Sequence, residues 1–280
     1  MLRINLWDNA FSHLANPEGS YSMIHKKIPK NIRYDCKLRN YDGITLFTDS
    51  YCNSSIISSV NSKIKIGWLL ENRSLVPHAY NNVSSYIDLL DFLFTNDEVL
   101  LKNYPEKTKF IPYGGGWIKE ENFGLAKKSK LVSIIYSHKK GPHEGYRIRH
   151  DLANRYSHIL DLFGNGSPKP IEFKEEALVD YMFTIVIENV SDKNYFTEKI
   201  VDPMLTGTIP IYWGCPNIGN FFNTRGIIDL KLENIDSILN SLSVDLYSSM
   251  LNSTKENYNK ALNYEITEDW MYNNILKELL

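Results

Sequence analysis

Glu198 and Lys199 stand side by side directly after Thr197, a residue type that caps helix N-termini. A lysine in a first helical turn opposes the helix dipole, and a bound phosphate at that spot removes the conflict. Two further cations suit a pyrophosphate: Lys139, in the basic loop 137–145, and Arg147 just beyond it. Asn189 and Glu198 suit the hydroxyls of a ribose or sugar. Glu71 follows the apolar run Lys63–Leu70, a carboxylate at the end of a buried strand. No Asp-x-Asp triplet occurs in the chain. The usual carboxylate pair that holds a divalent metal on a sugar nucleotide is therefore missing. Cations must neutralise a diphosphate instead, and no metal site is expected.

The elements that must position these residues can be read from the same stretch. Phe183–Ile187 is a short, β-branched apolar run and predicts a buried strand. A polar loop follows from Asn189 to Phe196, then a helix from Glu198, a stop at Gly207, and a second strand over Thr208–Trp213. This is one βαβ unit, with its polar residues crowded where an open α/β sheet binds ligands. Elsewhere the pattern predicts strands at Leu2–Trp7, Asp42–Thr48, Lys63–Leu70, Leu131–Tyr136, His158–Phe163 and Gly226–Leu230. Residues 8–30 read as an irregular polar loop. Helices are expected from about 144 to Tyr156, over 232–262 and in the tail from Thr267. Strands and helices alternate on both sides of the charged segment 118–130. That pattern predicts an α/β protein of two Rossmann-like domains, residues 1–125 and 126–265, with a site in the cleft between them. The tail 266–280 would cross back to the first domain.

Composition narrows the partners. A chain of 280 residues suits two cores, and a net charge of −2 argues against nucleic acid or an anionic membrane as the main partner. Cys36, Cys52 and Cys215 are odd in number with no Cys-x-x-Cys spacing, which points to a reducing, cytoplasmic location and away from a disulfide framework or zinc site. No secretion signal and no apolar run long enough to span a membrane is visible.

Glu188-Asn189, five residues, then Tyr195-Phe196-Thr197-Glu198-Lys199-Ile200, and beyond it Thr206 to Gly214 (TGTIPIYWG), resemble the signature of the α1,3-fucosyltransferase family. The likeness extends upstream through Gly67–Pro77, Phe94–Asn96, Phe110–Trp117, the loop from Ser137 to Arg147 and Asp161–Gly164, and covers roughly residues 64–230. It is closest to the short bacterial or viral branch that lacks a membrane anchor. The resemblance implies a GT-B fold and an inverting glycosyltransferase that needs no cofactor beyond its nucleotide-sugar co-substrate. It implies that Lys199 and Arg147 hold the donor diphosphate, that Glu198 binds its ribose or sugar, and that Asn189 and Tyr195 line the same pocket. Glu71, in a Gly-x-x-x-Glu-Asn context, would be the general base. The donor implied is GDP-fucose and the acceptor a glycan hydroxyl. UDP-xylose remains an alternative donor, and a glycan- or nucleotide-sugar-binding module without catalysis is the alternative of another class. Pro203, inside the helix that starts at Glu198, removes one backbone hydrogen bond and is expected to kink it.

Overall fold

The structure is a computed structural model that describes residues 1–8, 22 and 27–279. The polar loop expected over residues 8–30 lies mostly outside the described residues. The chain divides into two compact units: residues 1–115 with 193–195 and 266–280, and residues 116–192 with 196–265.

The first unit is built on six parallel strands, β1 (Leu2–Trp7), β2 (Ile32–Cys36), β3 (Asn40–Thr48), β4 (Asn61–Leu69), β5 (Phe92–Thr95) and β6 (Thr108–Phe110), in the order β2-β1-β3-β4-β5-β6. Strand β2 is not among the expected strands, although Ile32, Tyr34 and Cys36 alternate with Arg33 and Asp35 at the strand period. Both faces of the sheet are covered, as a parallel sheet requires. One face packs Ile4, Leu6, Ile66 and Trp68 against Met271, Ile275 and Leu276 of the tail. The other packs Phe47, Leu69 and Leu93 against Tyr80, Val83 and Tyr86.

The second unit holds β7 (Lys130–Ile135), β8 (Asp161–Phe163), β9 (Tyr181–Ile187), β10 (Ile209–Trp213) and β11 (Ile228–Asp229), all parallel, in the order β11-β10-β9-β7-β8. All seven residues of β9 are buried. Its Phe183, Ile185 and Ile187 face the helix Glu144–Arg155 and the helix Val244–Ala261, while Val186 joins the helix Glu198–Leu205 on the opposite face. That helix is capped by Thr197, whose hydroxyl accepts from the Lys199 N–H, and it runs through Pro203 for two further residues.

The change of unit falls at Gly115, ahead of the charged segment 118–130. The reason is local: the Trp117 N–H donates to Asp202 Oδ1 at 2.7 Å and Ile118 is fully buried, so this segment is already tied to the second unit.

Candidate functional site

In an open parallel sheet the ligand crevice lies outside the carboxyl ends of the strands where the strand order reverses. In the second unit that point lies between β7 and β9. A cavity of about 310 Å³ sits there, lined by Ser137 after β7, by Ile187 at the end of β9, and by Arg149, Lys174, Glu198 and Lys199. The local sequence explains the placement. The helix N-terminus presents Glu198 and Lys199 through the Thr197 cap, and Gly145 lets the helix Glu144–Arg155 approach the end of β9. A Cβ at Gly145 would fall 1.8 Å from the Glu188 carbonyl oxygen.

The charges form an alternating chain. Lys199 Nζ lies 3.6 Å from Glu188 Oε2 and 3.3 Å from Glu198 Oε1. Lys174 Nζ lies 3.6 Å from Glu198 Oε1 and 2.6 Å from Asp202 Oδ2. Glu188 is fully buried, and it accepts from the Thr197 N–H at 2.9 Å and the Thr197 hydroxyl at 2.8 Å. Burial pushes the Glu198 carboxyl up, but the ammonium groups of Lys199 and Lys174, with hydrogen bonds from Thr197 and Lys199, overcome it and hold the group at about 2. Burial lowers Lys199, and the carboxylates of Glu198 and Glu188 more than compensate, so its pKa is raised. Glu188 and Asp202 titrate above the ordinary carboxylate range because burial outweighs their cationic partners.

The placement of the expected residues is uneven. Asn189 is beside the cavity, its Oδ1 accepting from Arg149 Nη2 at 2.7 Å. Arg147 is not brought there. Its side chain is 64% exposed and pairs with Glu144 and Asp151 along the outer face of its helix. Arg149 takes the position expected of Arg147. The helical period carried the signal: Gly145, Ile148, Leu152 and Ala153 form the buried face, residue 149 falls within it, and residue 147 falls opposite. Lys139 is exposed in its loop, its carbonyl oxygen 3.1 Å from His150 Nε2, and does not line the cavity. Lys174, Asp202 and Glu188 had no individual signal, since their importance lies in contacts made across 28, 85 and 9 residues of sequence.

Tyr195 also departs from expectation. It does not line this cavity but belongs to the first unit, where its hydroxyl donates to Glu71 Oε2 at 3.2 Å. The Tyr113 hydroxyl donates to Glu71 Oε1 at 3.4 Å, and the two tyrosine rings meet edge to face at 6.0 Å. Glu71 is half-buried, and its backbone carbonyl accepts from the Tyr80 hydroxyl at 2.6 Å. Two phenols therefore fix the orientation of one carboxylate.

The strand order of the first unit reverses between β1 and β3, whose ends carry Asp8 and Asp49. The Thr48 hydroxyl donates to Asp8, and Asp49 Oδ1 accepts from the Leu70 N–H at 2.9 Å, fixing the backbone just before Glu71. Asp49 holds a left-handed φ of +36°. Burial pushes its carboxyl up to about 7 against the Leu70 hydrogen bond, with the charges of Glu71 and Asp8 adding to the rise. The folded chain thus keeps a proton on Asp49 that the unfolded chain releases near pH 4. Stability from this group is lost as pH rises toward 7 and is flat above. Asp49→Asn removes the titration and tolerates the left-handed backbone. Its stability relative to the parent should rise by about 1–3 kcal/mol between pH 5 and pH 8 in urea unfolding. An unchanged difference would mean that Asp49 does not carry the proton.

Two parallel α/β sheets, one with a cation-lined cavity at its switch point, fit the architecture of GT-B glycosyltransferases. Residues 125–265 match the sequence profile of glycosyltransferase family 10 (fucosyltransferase), C-terminal part, and the chain belongs to that family. An α-(1,3)-fucosyltransferase of Helicobacter pylori is 30% identical over 118 residues, 40% of this chain and 24% of that protein, so the match spans about a quarter of the relative's length. The crystal structure of an α1,3-fucosyltransferase with GDP superposes with a TM-score of 0.55 at 17% identity, over 96% of this chain and 92% of that one. The structure with GDP-fucose superposes at 0.54 and 17% identity, over 94% and 88%. These two likenesses speak to the fold. No helix among the described residues is long and apolar enough to cross a membrane, and no cluster of metal-ligating side chains occurs among them.

Proposed function

We propose that this chain transfers fucose from GDP-fucose to a hydroxyl of a glycan acceptor, with inversion at the anomeric carbon. The observation that carries the reading is the cavity at the β7–β9 switch point, where Arg149, Lys174 and Lys199 converge on a helix N-terminus. The second unit binds the nucleotide sugar, and the first holds the reacting hydroxyl of the acceptor. Arg149 and Lys199 take the diphosphate, and Asn189 and Glu198 take ribose or sugar hydroxyls. Glu71 removes the proton from the acceptor hydroxyl as its oxygen bonds to the anomeric carbon. The bond from that carbon to the diphosphate breaks, and the charge growing on the leaving group meets Lys199, Arg149 and the positive end of the helix dipole. The fucosyltransferase relatives favour GDP-fucose over UDP-xylose. Divalent metal has no assigned part. The three free cysteines suit a reducing, cytoplasmic setting.

Calorimetric titration with GDP tests this reading. GDP should bind equally with and without EDTA. Arg149→Ala should weaken it about tenfold or more, through the loss of charge-assisted hydrogen bonds, and Arg147→Ala should leave it within about twofold. A chain that fails to bind GDP sinks the reading. Equal effects at 147 and 149 would return the diphosphate role to Arg147, and a large effect of EDTA would assign it to a metal.

A further inference from the structure

The same sheet has a second concavity, none of whose lining residues has a role in the transfer as described above. It measures about 650 Å³ and lies outside the carboxyl ends of β10 and β11, lined by Ser191, Trp213, Asn217, Asn220, Thr224 and Asp229 among others. No Lys, Arg or His lines it, and its one charged side chain is Asp229. Its chemistry is the reverse of the first cavity's: amides, hydroxyls and a partly exposed indole. Asp229 and the lack of cations disfavour a phosphate. Neutral donors and acceptors, beside an indole that also packs on the core, fit the hydroxyls of a sugar ring. The volume is within the range of about 300–1,000 Å³ of ligand pockets.

Glu188 lies between Gly214, which lines this concavity, and Lys199, which lines the first. A Cβ at Gly214 would lie 2.5 Å from Glu188 Cγ, so the Glu188 side chain lies directly against the Gly214 backbone. The Ser191 hydroxyl donates to the Gly214 carbonyl at 2.7 Å, and the Glu188 N–H to the Trp213 carbonyl at 3.0 Å. On its other side Glu188 holds Thr197 and Lys199. The donor as proposed has its diphosphate on the Lys199 side of Glu188, with its sugar joined to it through a single oxygen. An occupant of the second cavity is a separate molecule, or a distant part of one.

We propose that the concavity at the ends of β10 and β11 is a subsite for a neutral oligosaccharide, holding acceptor sugars remote from the reacting hydroxyl. The inference rests on the glycosyl-transfer reading. Its function there is to use the remote part of a long acceptor for selection, since binding energy from non-reacting parts of a substrate raises kcat/KM. The binding test uses four neutral tetrasaccharides as probes, an N-acetyllactosamine repeat, cellotetraose, maltotetraose and chitotetraose, followed by saturation-transfer NMR and calorimetry. At least one should bind. Asn220→Lys, which places a long side chain in the cavity, should weaken it tenfold or more, and Thr224→Val, which removes only a hydroxyl, by a few-fold. GDP affinity, measured in parallel, should stay within twofold in both variants. The subsite is overturned if GDP binds and none of the tetrasaccharides does, or if the bound one is indifferent to both substitutions. Tetrasaccharide binding that is sensitive to Asn220→Lys in a chain that binds no GDP supports the subsite and overturns the donor reading instead.

Discussion

Replacing Glu71 with glutamine is expected to lower kcat for sugar transfer about a hundredfold or more while GDP affinity stays within a few-fold. Glutamine keeps the shape of the side chain, and its carbonyl oxygen can still accept from one of the phenols of Tyr113 and Tyr195. What it lacks is the capacity to take a proton. Every residue lining the cavity proposed for the nucleotide belongs to the second unit, so the substitution changes none of that lining. The measurement is kcat for transfer and Kd for GDP on parent and variant. Transfer at a near-parental rate would make Glu71 a structural carboxylate held by two tyrosines.

Lys199→Ala should damage both binding and folding. The ammonium stands between Glu188 and Glu198, and removing it leaves a fully buried carboxylate at 188 facing no cation. Loss of one partner from a buried ion pair costs about 3 kcal/mol or more. GDP should bind at least about tenfold more weakly through the loss of a charge-assisted contact. The two effects separate in a second variant. Adding Glu188→Gln removes the stranded charge and keeps an acceptor for the Thr197 N–H, while its amide N–H can donate to the Thr197 hydroxyl that donated to the carboxylate. Urea unfolding should recover most of the lost stability, and calorimetry should show GDP affinity still impaired. If affinity returns with stability, Lys199 serves only to hold the helix start, and the diphosphate is met by Arg149 and Lys174.

The βαβ unit from β9 to β10 was legible because its strands are short, β-branched and buried on both faces, and because Thr197 and Gly207 punctuate the helix. Strand β2 was missed although its alternation of Ile32, Tyr34 and Cys36 with Arg33 and Asp35 is written in the sequence. Neighbouring residues in the sequence proved a poor guide to which side chains share a site. Tyr195 and Glu198 are three residues apart yet belong to different units, because the loop segment 193–195 packs with the first. Arg147 and Arg149 are two apart on one helix and face opposite ways, which the spacing of Ile148 and Leu152 could have revealed. Glu188 stands in the Glu-Asn motif with no role that the sequence assigns it. Only the packed structure shows that its carboxylate anchors the Thr197 cap and Lys199 together.

The tail that covers one face of the first sheet sets an order of assembly on the ribosome. Ile4, Leu6 and Trp68 are made early, but Met271, Ile275 and Leu276, which shield them, are made only after the whole of the second unit. A nascent chain therefore carries an open apolar sheet face while residues 116–265 are synthesised, and this later unit can close its own core first. Domains usually complete in the order in which they emerge. Here the unit translated first is the one finished last, and it is the one exposed to chaperones and to aggregation throughout elongation.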